Sequence, residues 1–262
     1  MLRRFLYLDN REVNGYLSSL EGGLVSERTE TATDSKQHSY GADIEIVKGD
    51  RGKSSESSKS LTKEDTPEAR FTRLHEALMS DPEGTGFVEV LEPDVAFEDI
   101  GIGAIVQWEA EVEIPEFSRL IAQDGEALAA VDMMQKLAPM MEMVGQPIDD
   151  VPEGDVMDGF GGILKGLNLN SICVGASDET DWTIAGPMKS DAKRDEIDGD
   201  AIVLGKVKKR IPEGDHYHMM KLPGLGLARD KRRKLSNKPQ AGQENEYLAG
   251  PLIIVDLIAI FR

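Results

Sequence analysis

The C-terminal segment Leu252–Ile260 constrains the fold more than any other part of the chain, because Asp256 is its only polar residue. A strand without apolar and polar alternation is buried on both faces, and its backbone groups need hydrogen-bonding neighbours on both edges. A second apolar run, Phe5–Leu8, lies near the N-terminus and is followed by Asp9 or Asn10 as the cap of a helix. We therefore expect the N- and C-terminal strands to be adjacent in one sheet.

The rest of the chain divides into a helical part and a strand-rich part. Helical spacing of apolar residues predicts helices over about 13–20, 67–79 and 115–144. Period-two alternation over 102–114 and several short apolar runs after residue 170 predict strands. This distribution favours the α+β class, with a largely antiparallel sheet and helices packed on it. We expect residues 1–262 to form a single domain of this class.

A long polar insertion interrupts this pattern at 26–66. It consists mainly of Ser, Thr, Lys, Glu, Asp and Gly, and its one apolar island is Ile44–Val47. Such a segment buries too little apolar area to offset the entropy lost on ordering. We expect a mobile insertion, or an exposed two-stranded ribbon around the island.

The net charge narrows the classes of partner. The chain carries 48 acidic and 30 basic residues, which gives a formal charge of −18 and repels nucleic acid and anionic lipid over most of the surface. A dense acidic surface is also typical of halophilic proteins, and we expect a halophilic source. The single cysteine, Cys173, fits a reducing compartment. No apolar run is long enough for a signal peptide or a membrane span, so we expect a cytoplasmic protein without stable membrane insertion.

One segment, 206–238, reverses this charge. It contains eleven Lys and Arg residues against three Asp and Glu residues, a net charge of +8. Such a segment can bind the phosphate of a nucleotide or RNA, or it can dock on the protein's own acidic surface or on a neighbouring subunit. No aromatic residue interleaves the basic run, as single-strand binding would require. The candidate anion-binding residues are Lys208, Lys209, Arg210, Arg229, Arg232, Arg233 and Lys234.

No catalytic or metal motif accompanies these residues in the sequence. His216 and His218 flank Tyr217, but only His38 and His75 remain as further histidines and there is no second cysteine. We interpret His216 and His218 as solvated residues of a hairpin. The glycine runs lack the spacing of a phosphate loop or a dinucleotide site. We expect no metal, no cofactor and no catalytic site.

Two terminal motifs and the insertion carry a family resemblance. The motifs are Phe5–Asp9 with Val13–Gly23 at the start, and Gly250–Val255 with Ala259–Arg262 at the end. Together they resemble a prokaryotic family, domain of unknown function 6414, over the whole chain. The resemblance implies a single-domain cytoplasmic protein without an assigned catalytic site, associated with mobile and phage-defence gene neighbourhoods.

Taken together, the sequence predicts a non-enzymatic binding or interaction module with a protein partner or self-association. The alternative is a nucleotide- or RNA-binding protein that uses the basic segment 206–238. A second alternative is an oligomer in which the insertion 26–66 forms a membrane-active ribbon.

Overall fold

The structure is a computed structural model that describes residues 3–21, 27–30, 61–122, 169–189, 193–194, 197–223, 228–239 and 241–262. For 27–30, 61–64 and 193–194 the description is of the backbone alone.

The described chain contains strands along its whole length and short helices mainly before residue 122. The strands are β1 Phe5–Leu8, β2 Glu27–Glu30, β3 Leu61–Glu64, β4 Phe87–Val90, β5 Ile105–Glu113, β6 Ser171–Ser177, β7 Thr180–Met188, β8 Lys193–Arg194, β9 Gly199–Ile211, β10 His216–His218, β11 Tyr247–Ala249 and β12 Leu252–Phe261. The helices are α1 Asn10–Glu21, α2 Pro67–Ser80, α3 Pro82–Thr85, α4 Pro93–Asp99, α5 Glu116–Ile121 and α6 Arg229–Lys234.

Five strands close into a mixed barrel. Strand β5 pairs antiparallel with β6 on one edge and with β9 on the other, β6 pairs antiparallel with β7, and β9 pairs antiparallel with β12. The parallel pairing of β7 with β12 completes the ring. Strand β4 adds to β5 in parallel, and β1 and β8 extend the sheet from β12.

The predicted fold class is therefore wrong: the sheet is a closed five-stranded mixed barrel with extra strands and few helices, not an open, largely antiparallel sheet covered by helices. Period-two alternation is the same in an open sheet and in a barrel, so the sequence pattern could not reveal closure. The parallel pair also brings together strands from distant parts of the chain.

Strand β12 is covered on both faces and paired on both edges, as predicted, although it belongs to a barrel and not to the expected open sheet. Its whole length pairs with β9, while its opposite edge pairs first with β7 and then with β1. The expected adjacency of the terminal strands is confirmed by the pairing of Phe5 with Phe261 and of Leu8 with Ala259. Successive residues enter different apolar clusters, with Ile253 and Val255 in one and Ile254 in another. Both faces of β12 are thus buried, which explains its lack of alternation.

Two glycines allow the barrel wall to pack closely against β12. A Cβ atom on Gly205 would lie 2.8 Å from Cγ2 of Val255, and one on Gly186 would lie 2.7 Å from Cγ of Leu257. Any larger residue at these positions would force the strands apart.

Helices α1 and α2 pack against the outside of the barrel, beside strand β12. Oδ1 of Asp9 accepts hydrogen bonds from the backbone N–H groups of Arg11 at 2.9 Å and Glu12 at 3.1 Å, which confirms Asp9 as the cap of α1. Val13 of α1 and Leu74 of α2 are buried in the same apolar cluster. These two helices cover one part of the barrel's outer surface.

The two ends of the polar insertion meet in an antiparallel pair, in which Glu27 is opposite Glu64 and Glu30 is opposite Leu61. The apolar island Ile44–Val47 lies outside the described residues, so the mobile insertion and the membrane-active ribbon stay predictions. None of the described helices is both long enough and apolar enough to cross a bilayer.

A buried histidine links the N-terminus to the barrel. Nη2 of Arg3 donates to Nδ1 of His75 at 3.0 Å, and Nε2 of His75 donates to Oε1 of Gln107 at 2.7 Å, which requires the neutral ring. Burial lowers the pKa of His75, while the hydrogen bond that His75 donates to Gln107 acts in the opposite direction. Burial also lowers the pKa of His218.

These lowered pKa values predict an acid-sensitive fold. Below the ordinary histidine pKa of about 6.5 the unfolded chain takes up protons that the folded chain does not, so stability falls as pH drops through this value. Urea unfolding at a series of pH values should show this decline, and the His75→Gln variant should show a smaller one. A free energy of unfolding that stays level down to the pKa of the carboxyl groups would contradict the assignment.

Candidate anion-binding site

The structure places the predicted anion-binding residues in three different environments. The first is set by a bulge in β9. Lys209 pairs with Ile254 and Val207 with Val255, so Lys208 lies in the bulge between them. Its Nζ atom is 2.6 Å from Oδ2 of Asp256. This cation is therefore neutralised within the protein.

Arg210 is also engaged internally. Its guanidinium donates hydrogen bonds to the backbone carbonyls of Glu98 and Phe97, at the C-terminal end of α4. A cation at this end of a helix satisfies carbonyl groups that have no partner within the helix. Neither Lys208 nor Arg210 is thus free to bind a ligand.

The second environment surrounds Tyr217. After β9, a turn over Pro212–Asp215, with Gly214 at φ +78°, reverses the chain into β10. This brings Tyr217, 7% exposed, back against the end of β9, where Nζ of Lys209 lies 4.6 Å from the centroid of its ring. The tyrosine hydroxyl donates to the backbone carbonyl of Lys221 at 3.2 Å. The contact of Lys209 with the ring is a cation–π interaction.

Two further cations complete the group that we call the Tyr217 cluster: Lys209, Tyr217, Lys221 and Arg232. Nζ of Lys221 donates to Oδ1 of Asn237 at 2.8 Å. Burial and the positive charge of Lys209 lower the pKa of Lys221. Burial raises the pKa of Tyr217, while the charge of Arg232 opposes that rise. Lys209 contacts the ring directly, Lys221 accepts the hydrogen bond of the tyrosine hydroxyl through its backbone carbonyl, and the charge of Arg232 acts on the same hydroxyl.

Within the described part of the chain, no carboxylate balances the charge of the Tyr217 cluster. No Asp or Glu of the described residues lies within ion-pair distance of Lys209, Lys221 or Arg232. Nε of Arg232 is buried and has no hydrogen-bond partner in the described part of the chain. Lys189 shows the contrast, since its Nζ is 2.7 Å from both Asp9 and Glu12. Cations held together without a counter-charge are what an anion-binding site requires.

The third environment is the outer face of α6, by which we mean its exposed residues: the cations Arg229, Lys231, Arg233 and Lys234 and the carboxylate Asp230. Arg229 and Arg233 are four residues apart and lie on the same side of the helix. Of the seven predicted residues, the fold thus brings only Lys209 and Arg232 into the Tyr217 cluster.

Sequence reasoning missed Tyr217, Lys221 and Asn237. Tyr217 lies within 206–238 but away from the consecutive basic residues, and the turn after β9 brings it against Lys209, a contact that linear spacing does not show. The interpretation of His218 as a solvated residue is wrong, because it is buried and its Nε2 is 3.3 Å from Oε2 of Glu246. The one local signal was the position of Tyr217 on a short strand directly after a glycine turn.

At the opposite end of β9 lies an acidic groove of about 570 Å³ on the outer surface of β4, β5, β6 and β9. None of the described residues that line it is a Lys or an Arg. Two of the carboxylates, Glu111 of β5 and Asp200 of β9, are directly opposite each other across the strands. The carboxylates that line the groove are Glu89, Glu109, Glu111, Asp178, Glu179 and Asp200.

Like charges directly opposite each other destabilise a sheet. We therefore expect Glu111→Lys, which replaces repulsion by attraction to Asp200, to raise the free energy of unfolding by about 0.5 kcal/mol. The matched control is Glu113→Lys on the same strand, because Glu113 pairs with Val174 instead of a carboxylate. Urea unfolding of both variants measures the difference. Equal stability of the two variants would contradict the predicted repulsion.

Among the described residues, no three His, Cys, Asp or Glu side chains are arranged to share a metal ion.

Comparison with known proteins identifies the family of this chain. No curated protein and no solved structure matches the chain. Residues 2–261 match the family described as "Domain of unknown function (DUF6414)", which spans almost the entire sequence. The chain therefore belongs to the DUF6414 family.

Proposed function

We propose that this protein is a non-enzymatic binding module that takes a phosphate-type anion in the Tyr217 cluster. One observation carries the proposal: Lys209 lies on the ring of buried Tyr217, the helix of Arg232 packs on the turn that holds Lys221, and none of these three cations has a carboxylate partner among the described residues.

The repulsion among the three cations destabilises the free protein, and a bound anion would relieve it. Positive charges held close together repel each other, and the lowered pKa of Lys221 reflects that repulsion together with burial. An anion at the cluster would remove the repulsion and could accept hydrogen bonds from both lysine ammonium groups and the Arg232 guanidinium. Phosphate oxygens suit this mixture of point charges and a planar guanidinium.

The phosphate could belong to a nucleotide, to RNA or to a small inorganic anion, because all three offer the same chemistry to the cluster. The net charge of −18 favours a compact ligand over a long polyanion, since only the basic segment attracts phosphate. A cytoplasmic location, a halophilic source and a link to phage defence stay predictions that accompany this function.

Calorimetric titration tests the proposal with inorganic pyrophosphate, ATP and a single-stranded oligoribonucleotide as probes. We expect saturable binding of pyrophosphate at one site and a modest decrease of affinity with added salt. A steep salt dependence seen for the oligoribonucleotide alone would favour RNA, because each neutralised phosphate releases counterions. Wild-type protein that binds none of the three probes at low ionic strength would show that the proposal is wrong.

A further inference from the structure

We infer that the acidic groove receives the outer face of α6 from a second copy of the chain. This inference concerns cations other than those of the Tyr217 cluster, and it does not rest on the proposed anion site. It assigns a partner to two surfaces that the proposed function leaves unused.

The groove carries carboxylates without a described ion-pair partner, since Arg262, beside Asp200, donates to the backbone carbonyl of Asp200 and not to its carboxylate. Glu111 and Asp200 are opposed across neighbouring strands, and Glu109 lies two residues from Glu111, on the same face of β5. None of these three carboxylates has a Lys or Arg within ion-pair distance among the described residues. A cationic partner would relieve the repulsion between them.

The edge of the groove also exposes apolar side chains, on which the aliphatic part of Lys and Arg side chains can pack. Leu91, which lines the groove, is 79% exposed, and Val95 of the adjacent helix α4 is 61% exposed. The aliphatic stems of Arg and Lys pack on such residues while their charged ends reach carboxylates. The groove thus offers both kinds of contact to a basic helix.

The outer face of α6 is complementary to this surface. It presents four cations, Arg229, Lys231, Arg233 and Lys234, and one carboxylate, Asp230, all exposed, and no described carboxylate lies within ion-pair distance of the four cations. Only Arg232 of this helix is partly buried at the Tyr217 cluster. The helix can therefore keep its inner contact while its outer face binds a partner.

Helix α6 packs at the other end of β9 from the groove of its own chain. Asp200, at the groove, and Ile211, which packs near Tyr217, lie eleven residues apart on the extended strand β9, a separation of roughly 35 Å. Helix α6 packs against the turn Met219–Lys221 at the Tyr217 end. The partner that supplies the helix is thus a second copy, and the contact joins unlike ends of two molecules.

Sedimentation velocity of the full chain at low and high ionic strength tests the inference. We expect species larger than the monomer at low ionic strength and their loss when NaCl is added, since the contact is mainly electrostatic. The helix variant Arg229→Glu with Arg233→Glu and the groove variant Glu109→Lys with Glu111→Lys should each be monomeric. An equimolar mixture of the two variants should associate again, because the intact helix of one meets the intact groove of the other.

Circular dichroism and pyrophosphate binding serve as controls, because neither variant alters Lys209, Lys221 or Arg232. A folded helix variant that still binds pyrophosphate but has lost association supports the inference separately from the proposed function. A wild-type chain that is monomeric at low ionic strength, variants that associate as the wild type does, or a mixture that stays monomeric would each overturn it.

Discussion

Deletion of the chain from Ile253 onward is expected to abolish soluble expression. The deletion removes most of β12, which pairs with β9 along its length and with β7 and β1 on its other edge. Without it the barrel cannot close, and the freed edges expose unpaired backbone groups and buried apolar side chains. Expression and sedimentation of the soluble fraction measure the effect. A soluble, folded protein that lacks these residues would contradict the central role of β12.

A single substitution tests the same point without removing any strand. Gly205→Val would place a Cβ atom 2.8 Å from Cγ2 and 2.9 Å from Cβ of Val255. We expect a loss of about 3 kcal/mol in the free energy of unfolding, because a closed barrel has little freedom to move one strand outward. Gly101→Val is the matched control, since a Cβ atom on Gly101 meets nothing within 4 Å. Equal stability of the two variants would show that the contact with β12 is not tight.

Charge reversal of Arg232 is expected to reduce pyrophosphate binding by about 100-fold, and reversal of Lys209 should act in the same direction. A charge-assisted hydrogen bond contributes about 1.5–3 kcal/mol, and replacing a cation by an anion adds repulsion. The matched control is Arg233→Glu, which changes the net charge equally on the exposed side of the same helix. Calorimetric titration at an ionic strength that suppresses self-association measures all three variants.

The comparison of Arg232→Glu with Arg233→Glu separates a built site from general attraction. A compact anion in the Tyr217 cluster depends on Arg232 and hardly on Arg233. Equal losses in both variants would mean that the whole basic segment attracts anions without a defined site. If Arg232→Glu keeps its fold by circular dichroism and its affinity for pyrophosphate is unchanged, Arg232 does not belong to the site.

The sequence predicted the elements that depend on local chemistry. The unbroken apolar run of β12 indicated a strand buried on both faces, and of the two predicted cap residues of α1, Asp9 and Asn10, it is Asp9 that caps the helix. Barrel closure was not predictable, because it depends on β9 pairing with both β5 and β12, and no local pattern records the second pairing. The predicted fold class was wrong for this reason.

The candidate site was predictable only in part. The charge inversion located the basic segment, and Lys209 and Arg232 are in the Tyr217 cluster. Lys208 looked equivalent to Lys209, but the bulge in β9 places it against Asp256. A bulge depends on the register between two strands, which spacing along one strand does not reveal. Spacing along the chain also did not reveal the role of Tyr217, because its contact with Lys209 is made across a turn.

The pKa of Lys221 tests the account most directly. NMR signals of the lysine side chains, followed over pH with and without pyrophosphate, report the protonation of Lys221 in the intact protein. Burial and the charge of Lys209 should hold this pKa below the ordinary lysine value in the free protein, and bound pyrophosphate should raise it by supplying the missing negative charge. An ordinary pKa for Lys221 that pyrophosphate leaves unchanged would contradict an anion site at the Tyr217 cluster.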